Sequence, residues 1–170
     1  MNRYISLLAA AAIGLGTVAV AATAATDNRS SDTKAAAPTT VQMPGDYSQS
    51  FSGPDSPCGF DITFSAAGTV TVTTYYDNAG LPIRESVHGS LSHTVSSAWH
   101  ALFSKGPAPV HIDLTAGLAV DTGKEFAFHI PGSGVVWAQN GRFVFGDIGL
   151  ISYTGLNTLD TSALCTALSK

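Results

Sequence analysis

Apolar and polar residues alternate with a period of two over much of the chain after residue 57. Between Cys58 and Phe64 every second residue is apolar, and the residues between them are polar or glycine. This period is typical of an antiparallel strand that buries one face. Residues 66–68 (Ala-Ala-Gly) then predict a turn and residues 70–76 a second strand. Residues 77–80 predict a hairpin turn, because Asp, Asn and Gly tolerate positive φ.

A third, longer strand is predicted over residues 81–95, where Ile83, Val87 and Leu91 share one parity. Gly89 lies near its middle and predicts a bulge or bend, which lets one strand serve two parts of a curved sheet. Seven further strands are predicted, most of them separated by Gly or Pro: residues 99–104, 110–114, 118–122, 125–130, 135–139, 142–145 and 150–154.

Short strands in this number, without helical periodicity between them, predict an all-β domain. The expected architecture is an antiparallel meander that closes into a small barrel, with a sandwich as the alternative. Near the end of the chain, residues 159–168 change to helical spacing. Asp160 is placed to cap the helix, and Leu164, Cys165 and Leu168 share one face. One short C-terminal helix is therefore expected.

The first 24 residues have the features of a secretory signal peptide. Arg3 is basic, residues 5–20 are apolar, and residues 22–24 (Ala-Thr-Ala) form a small-x-small cleavage site. Residues 25–55 are mostly Thr, Ala, Ser, Asp, Asn and Pro, which predicts a flexible linker. The expected organisation is a signal peptide (1–24), a linker (25–55) and a β-domain (56–170), secreted and without a membrane span after cleavage.

Cys58 and Cys165 are the only cysteines. In an exported chain such a pair predicts one disulfide, which here would join the two ends of the domain. Loss of residues 1–24 removes one basic residue and no acidic one, so the formal charge of −4 becomes −5. The remaining basic residues are scattered singly, which argues against nucleic acid or an anionic membrane as a partner.

Two short motifs frame the β-rich region. They are Cys58-Gly59-Phe60-Asp61-Ile62 near its start and Ala163-Leu164-Cys165-Thr166-Ala167-Leu168 at its end. With the glycine-punctuated strands between them, residues 58–168 resemble small secreted proteins of unknown function from high-GC Gram-positive bacteria. The resemblance implies a signal peptide, a β-domain and a disulfide, and it implies no activity.

Ionisable residues give few candidates for chemistry. Glu85 shares parity with Ile83 and Val87, so a regular strand would point it into the interior, whereas a bend would turn it to solvent. Residues 121–124 (Asp-Thr-Gly-Lys) are predicted to form a hairpin turn. The alternative is the Asp-Thr-Gly motif of a homodimeric aspartic protease, and Lys124 stands against it because a cation disturbs a shared proton.

The chain has five histidines, which raises the question of a metal site. His111 and Asp113 share one parity of a predicted strand and form the best candidate pair of ligands. A His-x-Asp pair on an exposed strand is common without a metal, however, and no G-x-S-x-G, H-E-x-x-H, P-loop or Gly-rich dinucleotide-binding motif occurs. No cofactor is therefore expected.

The aromatic residues supply the remaining candidate site. Most are expected in the core, but Trp99 and Trp137 have polar neighbours and are candidates to line the mouth of a cavity for a small apolar or sugar-like ligand. With surface and aromatics but no assembled catalytic set, the leading hypothesis is a secreted, non-enzymatic binding or interaction module. Alternatives are a cavity enzyme of the isomerase or cyclase type that uses Glu85, and an envelope-associated structural protein.

Overall fold

Nine β-strands and one α-helix are formed by residues 36–170, the part of the chain that the computed structural model describes. The predicted signal peptide and residues 25–35 of the predicted linker lie outside the described residues. A short 3₁₀ turn (Gly53–Asp55) follows the second strand. The elements are β1 (Thr39–Pro44), β2 (Tyr47–Phe51), β3 (Ile62–Tyr76), β4 (Pro82–Ser96), β5 (Ala101–Pro107), β6 (Val110–Asp113), β7 (Leu118–Ile130), β8 (Gly134–Gly146), β9 (Gly149–Leu159) and α1 (Thr161–Leu168).

All nine strands belong to one antiparallel sheet with the order β1-β3-β4-β6-β7-β8-β9. β1 and β2 pair one after the other with β3, and β5 and β6 do the same with β4. The strands β3, β4, β7 and β8 are long and extend over the full length of the sheet along the strand direction. The prediction of an all-β fold with one short C-terminal helix is confirmed.

The sheet is not a closed barrel, which corrects the predicted closure. β9 at one end of the strand order pairs only with β8, and β1 at the other end pairs only with β3. The sheet thus keeps two edges. Closure would need a further pairing between these edge strands, and none occurs among residues 36–170.

Several predicted turns are continuous strand instead. Residues 66–68 lie inside β3, and residues 121–124 lie inside β7. Residues 140–141 likewise do not interrupt β8. Pairing between β3 and β4 also continues without a register shift at Gly89, so the bulge predicted there is absent. The prediction that this strand serves two parts of the sheet is correct, because β4 pairs with β5 on one side of Gly89 and with β6 on the other.

The predicted linker is wrong for residues 39–55, which form β1, β2 and the 3₁₀ turn. Their hydroxyl and amide side chains obscured the pattern, because β1 and β2 are edge strands with most side chains exposed. Such strands are held by main-chain pairing with β3 more than by buried surface. Phe51 is the exception, since it is buried in the core opposite Ile62.

One face of the sheet carries two hydrophobic clusters. The larger cluster contains an aromatic group, in which Phe64, Phe126, Phe128 and Trp137 pack in tilted and edge-on contacts with ring centroids 5.3–6.2 Å apart. The smaller cluster lies at the other end of the same strands and consists of Val70, Val87, Val110, Ala119, Phe143 and Phe145. Burial on this scale is the main source of stability in a small β-domain.

Helix α1 covers the larger cluster. The Asp160 side chain accepts a hydrogen bond from the backbone N–H of Ala163, which satisfies a free donor at the helix start as predicted. Leu164 and Leu168 are fully buried against the sheet. The predicted disulfide between Cys58 and Cys165 is formed and fastens this helix to the chain just before β3.

A row of three paired glycines crosses strands β7, β8 and β9. Gly123 of β7 pairs with Gly141 of β8, and Gly141 pairs with Gly155 of β9. A Cβ atom on Gly141 would lie 2.9 Å from the Gly155 Cα, and one on Gly155 would lie 2.6 Å from the Gly141 Cα. Both residues have positive φ, 149° and 135°. Only glycine fits this close approach of two backbones.

Candidate functional site

Four polar side chains lie between the two hydrophobic clusters on the covered face of the sheet. They are His93 on β4, Asp121 and Glu125 on β7, and Gln139 on β8, which we call the interior polar belt. His93, Asp121 and Gln139 are buried, and Glu125 is partly buried. Burying polar groups is unfavourable unless they are paired. The interior polar belt is therefore a candidate functional site.

A β-bulge brings Glu125 into this belt. The pairing of β7 with β8 shifts between Lys124 and Phe126, which leaves Glu125 as the extra residue. Before the bulge, odd-numbered residues such as Asp121 face the core, and after it Phe126 does. An inserted residue of this kind breaks the alternation of a strand, so adjacent residues can face the same side.

The two carboxyl groups hold protons more tightly than usual. Burial raises the pKa of Asp121 to about 6, against a smaller opposing effect of the Thr122 backbone N–H. Burial also raises the pKa of Glu125 to about 8, and the nearby Asp121 carboxylate adds to this rise. A carboxyl with a pKa near neutrality can donate or accept a proton at physiological pH.

His93 is the most unusual member of the belt. Its side chain is 1% exposed, and neither Nδ1 nor Nε2 has a hydrogen-bond partner. The ring lies between Phe64 and Phe126, with centroids 5.9 and 5.5 Å away. Burial lowers the pKa of His93 to about 4, so the imidazole is neutral at physiological pH. Its surroundings are those of an aromatic core residue.

Glu85, the predicted catalytic candidate, lies outside this belt. The expected alternation holds, since Glu85 pairs with Thr74 and Ile112 on the face that carries Val87. The residue is nevertheless only partly buried, near the end of the sheet, and its carboxylate accepts a hydrogen bond from the Thr74 hydroxyl at 3.3 Å. Its neighbour Arg84 stacks on the Tyr75 ring, with Cζ 4.2 Å from the centroid.

The predicted metal pair His111 and Asp113 is not brought together for coordination. The Asp113 carboxylate accepts hydrogen bonds from the Thr115 hydroxyl and from the backbone N–H groups of Thr115 and Ala116, which lower its pKa. These bonds hold the turn after β6. Among residues 36–170 there is no group of three or more His, Cys, Asp or Glu side chains able to hold a metal ion.

His111 instead meets another histidine on the outer face of the sheet. Ser86 pairs with His111 across β4 and β6. The Ser86 hydroxyl lies 2.7 Å from His88 Nε2 and 3.2 Å from His111 Nδ1. The two imidazole rings are 5.8 Å apart and nearly perpendicular. Ser86 is buried, whereas both histidines are exposed.

The two tryptophans have different surroundings. Trp137 is 6% exposed and forms part of the larger core cluster. Trp99 is 47% exposed and packs edge-on against Phe60, with centroids 5.5 Å apart. Trp137 therefore serves the packing of the core, and Trp99 lies on the surface beside the turn from β4 to β5.

The outermost strand β9 is the most exposed apolar element. Its side chains Ile151, Tyr153 and Leu156 are 60%, 49% and 56% exposed. None of its eleven residues is charged, and none is proline. Because β9 pairs only with β8, its other edge presents unpaired backbone N–H and C=O groups.

Sequence reasoning missed the burial of Asp121 and Glu125 on one face, the contact of His88 with His111, and the β9 edge. The predicted hairpin turn over residues 121–124 contains Asp121 and precedes Glu125, and it does not form. His88 and His111 lie 23 positions apart and become neighbours only through the pairing of β4 with β6. The absence of charge in residues 149–159 was the one signal that the sequence offered for the edge.

Comparison of the chain with protein-family models, with curated proteins and with solved structures finds no match. The resemblance to small secreted bacterial proteins therefore stays a prediction. No helix among the described residues is long and apolar enough to cross a membrane.

Proposed function

We propose that this protein is an exported, non-enzymatic interaction module that associates with a second copy of itself through the free edge of β9. One observation carries the proposal: an eleven-residue edge strand exposes Ile151, Tyr153 and Leu156 and contains no charged residue and no proline. Edge strands are usually guarded by lysine, by proline, by shortness or by a covering element, because an unguarded edge pairs with other chains.

The opposite edge of the sheet has those protections. There β1 and β2 have six and five residues, and both pair with β3. Pro44 ends β1, and Gly45 and Asp46 separate it from β2. The contrast between the two edges of one sheet supports a specific role for β9.

Charge favours a second copy as the occupant. Like charges directly opposite each other destabilise a strand pair, and two copies of β9 bring none together. Antiparallel pairing of identical strands around a two-fold axis also closes the assembly at a dimer and leaves no further edge of this type exposed. The disulfide supports export, because such bonds persist in oxidising compartments.

Alternative functions have less support. A cavity enzyme built on Glu85 needs that carboxyl shielded from water, whereas Glu85 is partly exposed and bonded to Thr74. An envelope-associated structural role depends on the segment before residue 36, which lies outside the described residues.

Sedimentation of the disulfide-bonded protein over a wide concentration range tests the proposal. We expect a monomer–dimer equilibrium that the double substitution Ile151→Lys and Leu156→Lys weakens at least about tenfold, because it places charges on the paired edge. Leu81→Lys is the matched control, since Leu81 is 62% exposed and lies away from β9. A wild-type protein that stays monomeric at all concentrations, or a dimer that Leu81→Lys weakens equally, would overturn the proposal.

A further inference from the structure

Two exposed imidazoles converge on one point of the outer sheet face. His88 Nε2 and His111 Nδ1 lie 2.7 and 3.2 Å from the same Ser86 oxygen. These nitrogens therefore lie within 6 Å of each other, with Ser86 Oγ between them. Ser86 and His88 are two residues apart on β4, and His111 is opposite Ser86 on β6.

The sheet fixes this arrangement without help from loops. Residues two apart on a strand project to the same face, and directly paired residues have side chains about 5 Å apart. Ser86, His88 and His111 therefore keep a common face for as long as β4 and β6 stay paired. Because both histidines are exposed, their rings can rotate toward a common ligand at little cost.

Neutral imidazole is the commonest side-chain ligand for divalent copper and zinc. A metal–nitrogen bond is about 2.0–2.1 Å for zinc, shorter than either distance to the Ser86 oxygen. An ion shared by the two nitrogens would thus take over the place of the hydroxyl between them. The hydroxyl is not required as a ligand, and water completes the coordination of a two-imidazole site.

We propose that His88 and His111 form a surface site for a divalent transition-metal ion, with Cu²⁺ bound more tightly than Zn²⁺. This order follows from the general affinity series for nitrogen ligands. The site is separate from β9 and from the interior polar belt, and it does not depend on the proposed function.

Titration of the untagged protein with Cu²⁺ by calorimetry tests this site. We expect His88→Ala or His111→Ala to weaken binding about 100-fold, the low end of the gain from a second tethered binding group. The double variant should lose binding at this site altogether, because each single variant keeps one of the two imidazoles. Ser86→Ala should retain binding. His129→Ala is the matched control, since His129 is an exposed strand histidine away from this cluster.

Electron paramagnetic resonance of bound Cu²⁺ gives a second, independent measurement. Coupling to two imidazole nitrogens is expected in the wild type and coupling to one in each single variant. The proposal is overturned if the wild type binds no Cu²⁺, if His129→Ala weakens binding as much as His111→Ala, or if either single variant keeps coupling to two imidazole nitrogens. Unchanged near-ultraviolet circular dichroism of the variants excludes unfolding as the cause of a loss.

Discussion

Asp121 and Glu125 face the same interior from one strand, and the carboxylate of Asp121 helps to raise the pKa of Glu125. Both lie on β7 between two hydrophobic clusters, and the bulge before Phe126 makes this placement possible. The folded protein therefore holds protons in a pH range where an unfolded chain would release them. By linkage, such protons make stability depend on pH.

We expect Glu125 to destabilise the fold as pH rises toward 8. Its pKa is 4.5 in the unfolded reference and about 8 in the folded protein. The folded state binds more protons between these values, so the free energy of unfolding falls as pH increases through the interval. Between pH 6.5 and 8, Asp121 and His93 contribute little, because their folded pKa values are about 6 and about 4. The stability advantage of Glu125→Gln over wild type should therefore grow by about 1–2 kcal/mol between pH 6.5 and pH 8.

Urea denaturation at several pH values measures this difference. Glu85→Gln is the matched control, since Glu85 and Glu125 are the only glutamates. As a partly exposed residue near the end of the sheet, Glu85 should change stability by less than about 0.5 kcal/mol at either pH. A parallel pH dependence for Glu125→Gln and wild type would contradict the raised pKa of Glu125.

His93 should make the free energy of unfolding fall as pH decreases below neutrality, which is the opposite of the dependence expected for Glu125. Its pKa falls from 6.5 to about 4 on folding, so the unfolded chain binds the extra proton, and stability is lost as pH decreases from 6.5 to 4. His93→Leu removes this dependence together with two buried ring nitrogens that lack partners. We expect the variant to be as stable as wild type or more stable at pH 7, with an advantage that grows by up to about 2 kcal/mol at pH 5. Thermal melts at the two pH values test this, and a variant that is less stable at both would show that the imidazole has a stabilising partner.

Gly141 and Gly155 should tolerate no side chain. Gly141→Ala and Gly155→Ala each bring a Cβ within 3 Å of the opposite backbone, in addition to the cost of a positive φ. Gly149→Ala separates the two effects, because Gly149 also has positive φ but no atom within 4 Å of the added Cβ. We expect Gly149→Ala to cost about 1–3 kcal/mol, and the other two variants to cost at least about 1 kcal/mol more or to fail to fold. Equal losses measured in urea would mean that the strands separate easily at this row.

The disulfide should contribute strongly to stability because it closes a loop of 107 residues. The double substitution Cys58→Ala and Cys165→Ala is expected to lower the free energy of unfolding by about 2–5 kcal/mol. Helix α1 should be the first element to loosen, since an eight-residue helix does not persist without packing. Amide hydrogen exchange in α1, compared with β8, tests this order. A variant that loses less than about 1 kcal/mol would show that α1 is held by Leu164 and Leu168 alone.

Periodicity predicted much of the fold, because side chains on a half-buried strand alternate regardless of the rest of the structure. The strand over residues 81–95, the hairpin at 77–80, the capped C-terminal helix and the disulfide were all predicted correctly. Each depends on local spacing or on the only available pair of cysteines.

The errors arose mainly at glycines. Gly68 and Gly123 were assigned to turns, but both lie inside strands. A Cβ on Gly68 would lie 2.7 Å from the Ser90 carbonyl oxygen, whereas Gly123 has a positive φ of 105° inside a strand. A single sequence does not separate a glycine needed for a turn from one needed for close contact between strands. The false turn in β7 then hid the bulge, and with it the positions of Asp121 and Glu125.

The bond between Cys58 and Cys165 also determines whether a proteolytic cut separates the chain into two fragments. The turn at residues 131–134, between β7 and β8, is fully exposed. Cleavage there would divide the polypeptide into two pieces, yet each piece would carry one of the two bonded cysteines. The nicked protein would migrate as a single species until a reductant was added, and its strands would stay within reach of their partners. Damage to an exposed turn in a protease-rich environment would therefore leave the molecule in one piece.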